Sequence, residues 1–266
     1  MKIICNVTLL FSIFPLFTQT TGFMAPDDVF AREQERIEIN GVLNTTAFDN
    51  FTYIGISPRM STRKKEIERA KVHIANQIAM NRSCTIDYGF VSNFNNDFYK
   101  DAKDSNIDYQ NDMTEEICEE LEVVFCRHFS ELTVVVARYK EAAADIDFKV
   151  TRGNSEAPRW IYEVPEIEGW YVGVGMADPY SVPYRSMVVA DINAAQQITM
   201  EKNAFIWTWT YDKISESQIN DALFDQAWLY SGDLILSYAE LQGLYIIDRW
   251  MEPDGSCFYS LAIARK

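Results

Sequence analysis

The sequence contains few of the residues and motifs that usually carry enzyme chemistry. It has two histidines, His73 and His128, and its five cysteines form no CxxC pair. No HExxH, Gly-x-Ser-x-Gly or Gly-Lys-Ser/Thr motif is present. The sequence therefore predicts no metal site, no bound cofactor and no catalytic residues. It favours structural or surface roles for both histidines over metal binding or general-base catalysis.

Long apolar runs are also scarce. The run from Ile3 to Phe17 follows Lys2 and precedes small polar residues. This layout is typical of a secretory signal peptide, here over residues 1–22, and the run is shorter than the roughly 20 residues of a membrane-spanning helix. A retained anchor is the alternative. Cys5 precedes the apolar run, so it is not placed as a lipid-anchoring cysteine. We expect an exported mature chain without an integral membrane span.

Basic residues are outnumbered, with 24 Lys and Arg against 39 Asp and Glu and a formal net charge of -15. Such a surface repels nucleic acid, so we expect no nucleic-acid partner. One acidic string lacks the alternate spacing and central glycine of a calcium loop, and we interpret it as a solvated loop and helix start. An export route permits a disulfide, but spacing assigns none, and buried free thiols are favoured. The acidic string is Asp101, Asp104, Asp108 and Asp112, and the cysteines of the mature chain are Cys84, Cys118, Cys126 and Cys257.

What the sequence does contain is a repeated segment. AKVHIANQIAM begins at residue 70 and ADINAAQQITM begins at residue 190, an offset of 120 residues. Gly55 and Gly175 match at the same offset. Apolar residues recur at steps of three and four in both copies, which predicts two amphipathic helices. The predicted buried stripes are Ile67, Ala70, Ile74 and Ile78, and Met187, Ala190, Ala194 and Ile198; Lys65, Glu68, Arg69 and Lys71 should face water.

The residues around each helix predict a larger repeated unit. β-rich stretches precede the helices at residues 51–57 and 170–175, and FIWTWTY follows the second one. A further helix is predicted near residues 115–121 and near 218–229, and a closing pair of strands follows in each copy. We interpret Gly173-Val174-Gly175 as a backbone turn, because the third glycine of a dinucleotide-binding fingerprint is missing.

These patterns predict an α+β fold with two tandem related domains, each with helices packed on a small, mainly antiparallel sheet. The domains are placed at residues 41–142 and 155–266. The segment between them, 143–154, contains small, charged and turn-forming residues and is predicted to be a linker with few contacts.

The second copy resembles the opening of the Lpp-twenty-like family, named for a Helicobacter membrane-associated lipoprotein. The matching pattern is a Pro-x-Trp, an aromatic strand with Gly-x-Gly and an alanine-rich helix, carried by Pro158, Trp160, Tyr171, Gly173, Gly175, Ala190 and Ala195. The unit is also similar to the amino-terminal domain of the flagellar assembly protein T. The first copy lacks the Pro-x-Trp and has Ser57 where the family often has a second glycine.

The resemblance implies a bacterial cell-envelope protein, periplasmic or associated with the outer membrane, without a known catalytic site. The leading hypothesis is a non-enzymatic interaction or scaffold module, associated with an appendage or the outer membrane, with envelope-protein partners or a homo-oligomeric state. The alternative is a periplasmic enzyme or small-ligand binder that uses a cleft between the domains. All six tryptophans lie in the second half. A larger aromatic core is the favoured explanation, and the functional alternative is an interaction surface that includes Trp160, Trp170, Trp228 and Trp250.

Overall fold

The structure is a computed structural model that describes residues 26–95, 98–109, 113–141, 143–219 and 222–266. The predicted signal peptide and Cys5 lie outside these residues. The α-helices of the described residues are α1 (Pro26–Asn40), α2 (Arg63–Arg82), α3 (Thr114–Glu120) and α4 (Pro183–Asn203). The strands are β1 (Thr52–Pro58), β2 (Cys84–Asn95), β3 (Phe98–Tyr109), β4 (Glu122–His128), β5 (Leu132–Arg138), β6 (Trp170–Ala177), β7 (Ala204–Ile219), β8 (Ala222–Leu241), β9 (Tyr245–Met251) and β10 (Phe258–Arg265).

The strands form three antiparallel sheets. One has the order β1-β5-β4, and a second has the order β6-β10-β9, so both place the last strand of their half in the centre. The third sheet has the order β3-β2-β8-β7 and draws two strands from each half of the chain. Helix α2 packs on β1 and helix α4 packs on β6 and β10. The predicted α+β class, with helices on small antiparallel sheets, is confirmed.

Helices α2 and α4 form where their apolar stripes were predicted. Thr62 caps α2, because its hydroxyl accepts a hydrogen bond from the backbone N–H of Lys65. Pro183 occupies the first position of α4, where a missing N–H costs nothing. Ala70, Ile74 and Ile78 are buried on α2, as are all four predicted residues on α4. Lys71 is half-buried, whereas the other residues predicted to face water are exposed.

Contacts between helix and strand recur at positions 120 residues apart. The Gln77 side chain donates to the carbonyl of Ile54 at 3.0 Å, and Gln197 accepts from the N–H of Val174 at 2.9 Å. At the helix starts, Glu66 accepts from the N–H of Met60 and Ser186 accepts from that of Tyr180. Matched helix positions therefore bond to matched positions in or just after the preceding strand in both halves, although the glutamine donates in one half and accepts in the other. The division into two separate domains stays a prediction.

The glycines of the repeat have a different role from the predicted turn. Gly173 and Gly175 lie inside β6, and a Cβ at Gly175 would overlap the carbonyl oxygen of Ala190 on α4. Gly55 in β1 meets Ala70 of α2 in the same way. The interpretation of Gly173-Val174-Gly175 as a turn is therefore wrong, because these residues allow a helix to approach the strand closely.

Two other local predictions are wrong. The helix expected near 218–229 is replaced by the long strands β7 and β8, although the matching helix near 115–121 is present as α3. Asp101, Asp104 and Asp108 lie in β3 instead of a loop, while Asp112 is outside the described residues. Pairing with neighbouring strands overrides the weak helical signal of residues 218–229.

The segment 143–154 packs against the rest of the chain. Ala143 and Ala144 are buried, and the N–H of Val150 donates to the Thr46 hydroxyl. The Arg152 guanidinium forms two 2.8 Å hydrogen bonds with the carboxylate of Asp248. The expectation that this linker makes few contacts is therefore wrong. Among the described residues, no helix is both long and apolar enough to cross a membrane.

Candidate functional site

A cavity of about 380 Å³ lies between α2 and α4, where the two halves of the chain meet. This volume is within the range of small-molecule sites. The end of β3 contributes Ile107 and Tyr109 to its wall, and β9 contributes Ile246. Most other lining residues are successive positions on one side of each helix, among them Arg69, His73, Asn76, Gln77, Met80, Tyr184, Val188, Asp191 and Ile192.

A buried ion pair forms one side of the cavity. Arg249 of β9 is almost fully buried, and its guanidinium holds the Asp191 carboxylate through Nε–Oδ1 and Nη2–Oδ2 contacts of 2.9 Å each. The Ser260 hydroxyl donates to Asp191 Oδ1 at 2.6 Å. Arg249 also donates to Gln77 Oε1 at 3.2 Å. Charge and hydrogen-bonding capacity are thus satisfied inside the protein, which is the condition for burying such a pair.

His73 presents one defined ring nitrogen to this cluster. Its Nδ1 accepts a hydrogen bond from the backbone N–H of Ile56 at 3.1 Å. The proton of the neutral ring is therefore on Nε2, which lies 3.8 Å from Asp191 Oδ2. Burial, assisted by the positive charge of Arg249, lowers the pKa of His73 to about 3. The imidazole consequently stays neutral at physiological pH and acts as a hydrogen-bond donor.

Aromatic side chains complete the cavity wall. The Tyr184 ring meets His73 edge to face, with ring centroids 6.0 Å apart and an interplanar angle of 76°. Burial raises the pKa of Tyr109 across the cavity, so its hydroxyl remains protonated. Arg69 is exposed on the same side of α2. The site therefore combines an apolar wall, the neutral hydrogen-bonding groups of His73 and Tyr109, the Asp191 carboxylate paired with Arg249, and one exposed cation.

His73 was predicted from the sequence to have a structural or surface role, and its neighbours in the cavity were not predicted. Asp191 and Arg249 come from α4 and β9, so sequence spacing alone does not connect them to His73. The 120-residue offset gives a partial signal, because it aligns His73 with Asn193, whose side chain donates to the carbonyl of Met176. His73 bonds the matching strand residue, Ile56. The polar residues at this matched position, His73 and Asn193, therefore predict a bond between helix and strand in each half. They do not predict the cavity.

The predicted tryptophan surface does not form as a unit. Trp160 and Trp250 are buried in the core, as the favoured explanation of a larger aromatic core expects, so the alternative that they belong to an exposed interaction surface is wrong for these two residues. Trp160 donates its indole N–H to Asp248, and the Trp250 ring stacks against Arg152. Trp170 is half-buried beside Arg265. The side chain of Trp228 lies outside the described residues.

The other predicted residues lie away from the cavity. His128 is on β4, close to Glu66 and Cys126. The described cysteines Cys84, Cys118, Cys126 and Cys257 are free thiols, and Cys84 is buried. Among the described residues, no group of His, Cys, Asp and Glu side chains is arranged to hold a metal ion.

No protein-family model, curated protein or solved structure matches the chain. The resemblance to the Lpp-twenty-like family and to the flagellar assembly protein T domain therefore stays a prediction.

Proposed function

We propose that this chain is an exported, non-enzymatic binding protein of the bacterial cell envelope, and that the cavity between α2 and α4 receives a small ligand. The observation that carries the binding proposal is the cavity of about 380 Å³, which is lined by both halves of the chain. The signal-peptide pattern and the family resemblance support the envelope location. This proposal adopts the cleft of the alternative hypothesis and retains the non-enzymatic character of the leading one.

The protonation of the cavity residues favours binding over catalysis. His73 uses its Nδ1 lone pair on the N–H of Ile56, so that nitrogen is not available to accept a proton from a ligand. Both oxygens of Asp191 already accept hydrogen bonds from Arg249, and Oδ1 also accepts one from Ser260, so the carboxylate is engaged by the protein. The polar groups are therefore suited to orienting a ligand by hydrogen bonds.

The lining also indicates the chemistry of the ligand. Met80, Ile107 and Val188 give an apolar wall, and the rings of Tyr109 and Tyr184 can pack against a planar group. The Nε2–H of His73 requires an acceptor, and the exposed Arg69 favours a negative charge at its end of the site. We infer a mainly apolar, planar ligand that carries an acceptor or one acidic group.

Anilinonaphthalene sulfonate, an apolar planar probe with one acidic group, tests this proposal. We expect fluorescence titration to show saturable binding of a single equivalent to the full chain. The Val188→Trp substitution fills the cavity and should weaken binding at least about tenfold. Binding should be the same at neutral and mildly acidic pH, because His73 remains neutral throughout.

Val29→Trp on α1 is the matched control, since it adds the same indole at an exposed position that does not line the cavity. Both variants should first be shown to unfold in the same cooperative transition as the unmodified chain. Equal probe affinity in Val188→Trp and Val29→Trp would place the binding elsewhere and overturn the proposal.

A specific surface also favours the interaction or scaffold function as a second candidate. Strand β4 is at the edge of its sheet, and its neighbouring residues Val123, Val124 and Phe125 are all exposed. An exposed apolar edge strand is a common place for a protein partner to add a strand. Crosslinking in envelope extracts should then capture a partner or a second copy through β4. A chain that remains monomeric and uncrosslinked would count against this function.

A further inference from the structure

A thiol, an imidazole and a carboxylate are aligned beside β4, away from the cavity. Cys126 and His128 are two residues apart on this strand, so their side chains lie on one face. The Cys126 Sγ atom is 3.7 Å from His128 Nε2. On the other side of the imidazole, His128 Nδ1 is 3.1 Å from Glu66 Oε2. This order of groups is the one in which a base activates a nucleophile while a third group orients the base.

The hydrogen bonds around Thr133 define the protonation of this cluster. The Thr133 hydroxyl donates its proton to Glu66 Oε2 at 2.6 Å, so toward His128 it can only accept. Nδ1 of His128 is 2.8 Å from that hydroxyl oxygen and 3.1 Å from the carboxylate, and both contacts require a proton on Nδ1. In the tautomer with its proton on Nδ1, the imidazole carries a lone pair on Nε2, the nitrogen that faces the Cys126 thiol.

The charge of Glu66 maintains this orientation. Its carboxylate is buried, which raises its pKa, but the bonds from Thr133 and the Met60 N–H and the charge of Arg59 outweigh burial and lower the pKa overall. Arg59 and Arg63 lie 3.1 and 2.9 Å from its oxygens. Glu66 therefore remains ionised and continues to accept the Nδ1 proton of His128.

The thiol belongs to a partly exposed residue and is protonated at rest. Cys126 is half-buried at the sheet edge, and the His128 side chain is partly exposed. Burial, together with the charge of Glu66, raises the pKa of the Cys126 thiol. Because only the thiolate is a good nucleophile, a base must remove the proton as the sulfur attacks. His128 is the base in contact with it.

We propose that Cys126 is a reactive thiol that undergoes thiol–disulfide exchange with low-molecular-weight disulfides. His128 Nε2 takes the thiol proton as Sγ attacks one sulfur of the disulfide. An Sγ–S bond forms, the disulfide bond breaks, and the leaving thiolate takes the proton back from His128. The products are a mixed disulfide on Cys126 and one free small thiol. Glu66 and Thr133 are positioning residues, and this site is independent of the cavity.

Timed exposure of the full chain to oxidised glutathione at neutral pH, followed by peptide mapping and mass spectrometry, tests this site. Each cysteine is measured in the same sample, so Cys118 on α3 serves as a half-exposed internal control. We expect Cys126 to be modified at least about tenfold faster than Cys118, since general-base assistance commonly contributes more than that.

His128→Asn distinguishes a base from a structural residue. The asparagine amide can still donate to Glu66 from a place close to Nδ1, but it has no group in the place of Nε2. The Cys126 rate should fall to that of Cys118, whereas Arg127→Asn, the same change at the adjacent residue, should retain the fast rate. Unchanged thermal unfolding verifies that each variant is folded. A Cys126 rate no faster than that of Cys118, or one unchanged in His128→Asn, would overturn the proposal.

Discussion

Replacement of Arg152 by methionine is expected to lower the free energy of unfolding by about 3–5 kcal/mol, the usual cost of removing one partner of a buried ion pair. The Arg152 side chain is 3% exposed and that of Asp248 is fully buried. The guanidinium makes two 2.8 Å contacts with the carboxylate and also donates to the Asn40 carbonyl. Methionine fills much of the same space as arginine. The loss of unfolding free energy therefore comes mainly from the unpaired Asp248 carboxylate and less from a cavity.

The penalty should depend on pH in a defined direction. Burial raises the pKa of Asp248, and the hydrogen bonds and charge of Arg152 oppose that rise. The folded-state pKa already lies above the unfolded value with Arg152 present, and it lies higher still without Arg152. A carboxyl group with a raised folded-state pKa adds to the free energy of unfolding at pH values below its unfolded-state pKa. This contribution is lost as the pH rises through the folded-state pKa. Arg152→Met should therefore be most destabilised at neutral pH and recover in acid.

Urea unfolding of a small variant set checks this prediction. Adding Asp248→Asn to Arg152→Met removes the stranded charge and should restore part of the lost stability at neutral pH. Arg159→Met is the control, because Arg159 is 85% exposed in its pair with Glu163, and it should change stability by less than about 0.5 kcal/mol. Equal unfolding midpoints for Arg152→Met and Arg159→Met would show that the buried pair does not stabilise the fold.

Replacement of Ile78 or Ile198 by alanine should each cost about 2–5 kcal/mol, the usual range for truncating a buried aliphatic side chain. Ile78 is 1% exposed and Ile198 is fully buried. They occupy matched places on α2 and α4, and each packs in a different apolar cluster, so both halves of the core are probed.

Denaturant unfolding of the single variants measures these costs. From the sequence, Lys71→Ala is expected to cost less than about 0.5 kcal/mol, because Lys71 was predicted to face water. In the structure Lys71 is half-buried, so it is a poor control. Lys64→Ala is the better control, since that side chain is 87% exposed. Small and equal effects at Ile78, Ile198 and Lys64 would mean that the repeated helices do not build the core.

The sequence predicted the elements whose residues repeat with a clear period. The stripes on α2 and α4 are spaced at three and four residues, and nearly all of them are buried as expected. The closing strands β4, β5, β9 and β10 also lie where β-rich residues occur. These patterns predict structure correctly because an element with one buried face needs apolar and polar residues in a regular order along the sequence.

Features that depend on contacts between residues distant in sequence have no such regular pattern. Residues 218–229 had a weak helical pattern, yet the described ones, 218–219 and 222–229, lie in β7 and β8 because those strands pair along their lengths. The role of Gly175 could not be deduced from its place before a helix, since it depends on how closely α4 approaches β6. Likewise, the cavity joins His73, Asp191 and Arg249 through tertiary packing alone.

The pairing of β2 with β8 has a consequence for how the chain reaches this fold during its synthesis. Cys84 pairs with Leu241, and Asn95 pairs with Tyr230, so the inner edge of β2 is completed by residues near the end of the chain. A ribosome releases β2 long before β8, and contacts of such large sequence separation form slowly. The nascent first half therefore carries an open hydrogen-bonding edge until translation is almost finished, and an unpaired edge of this kind is where strand-to-strand aggregation begins.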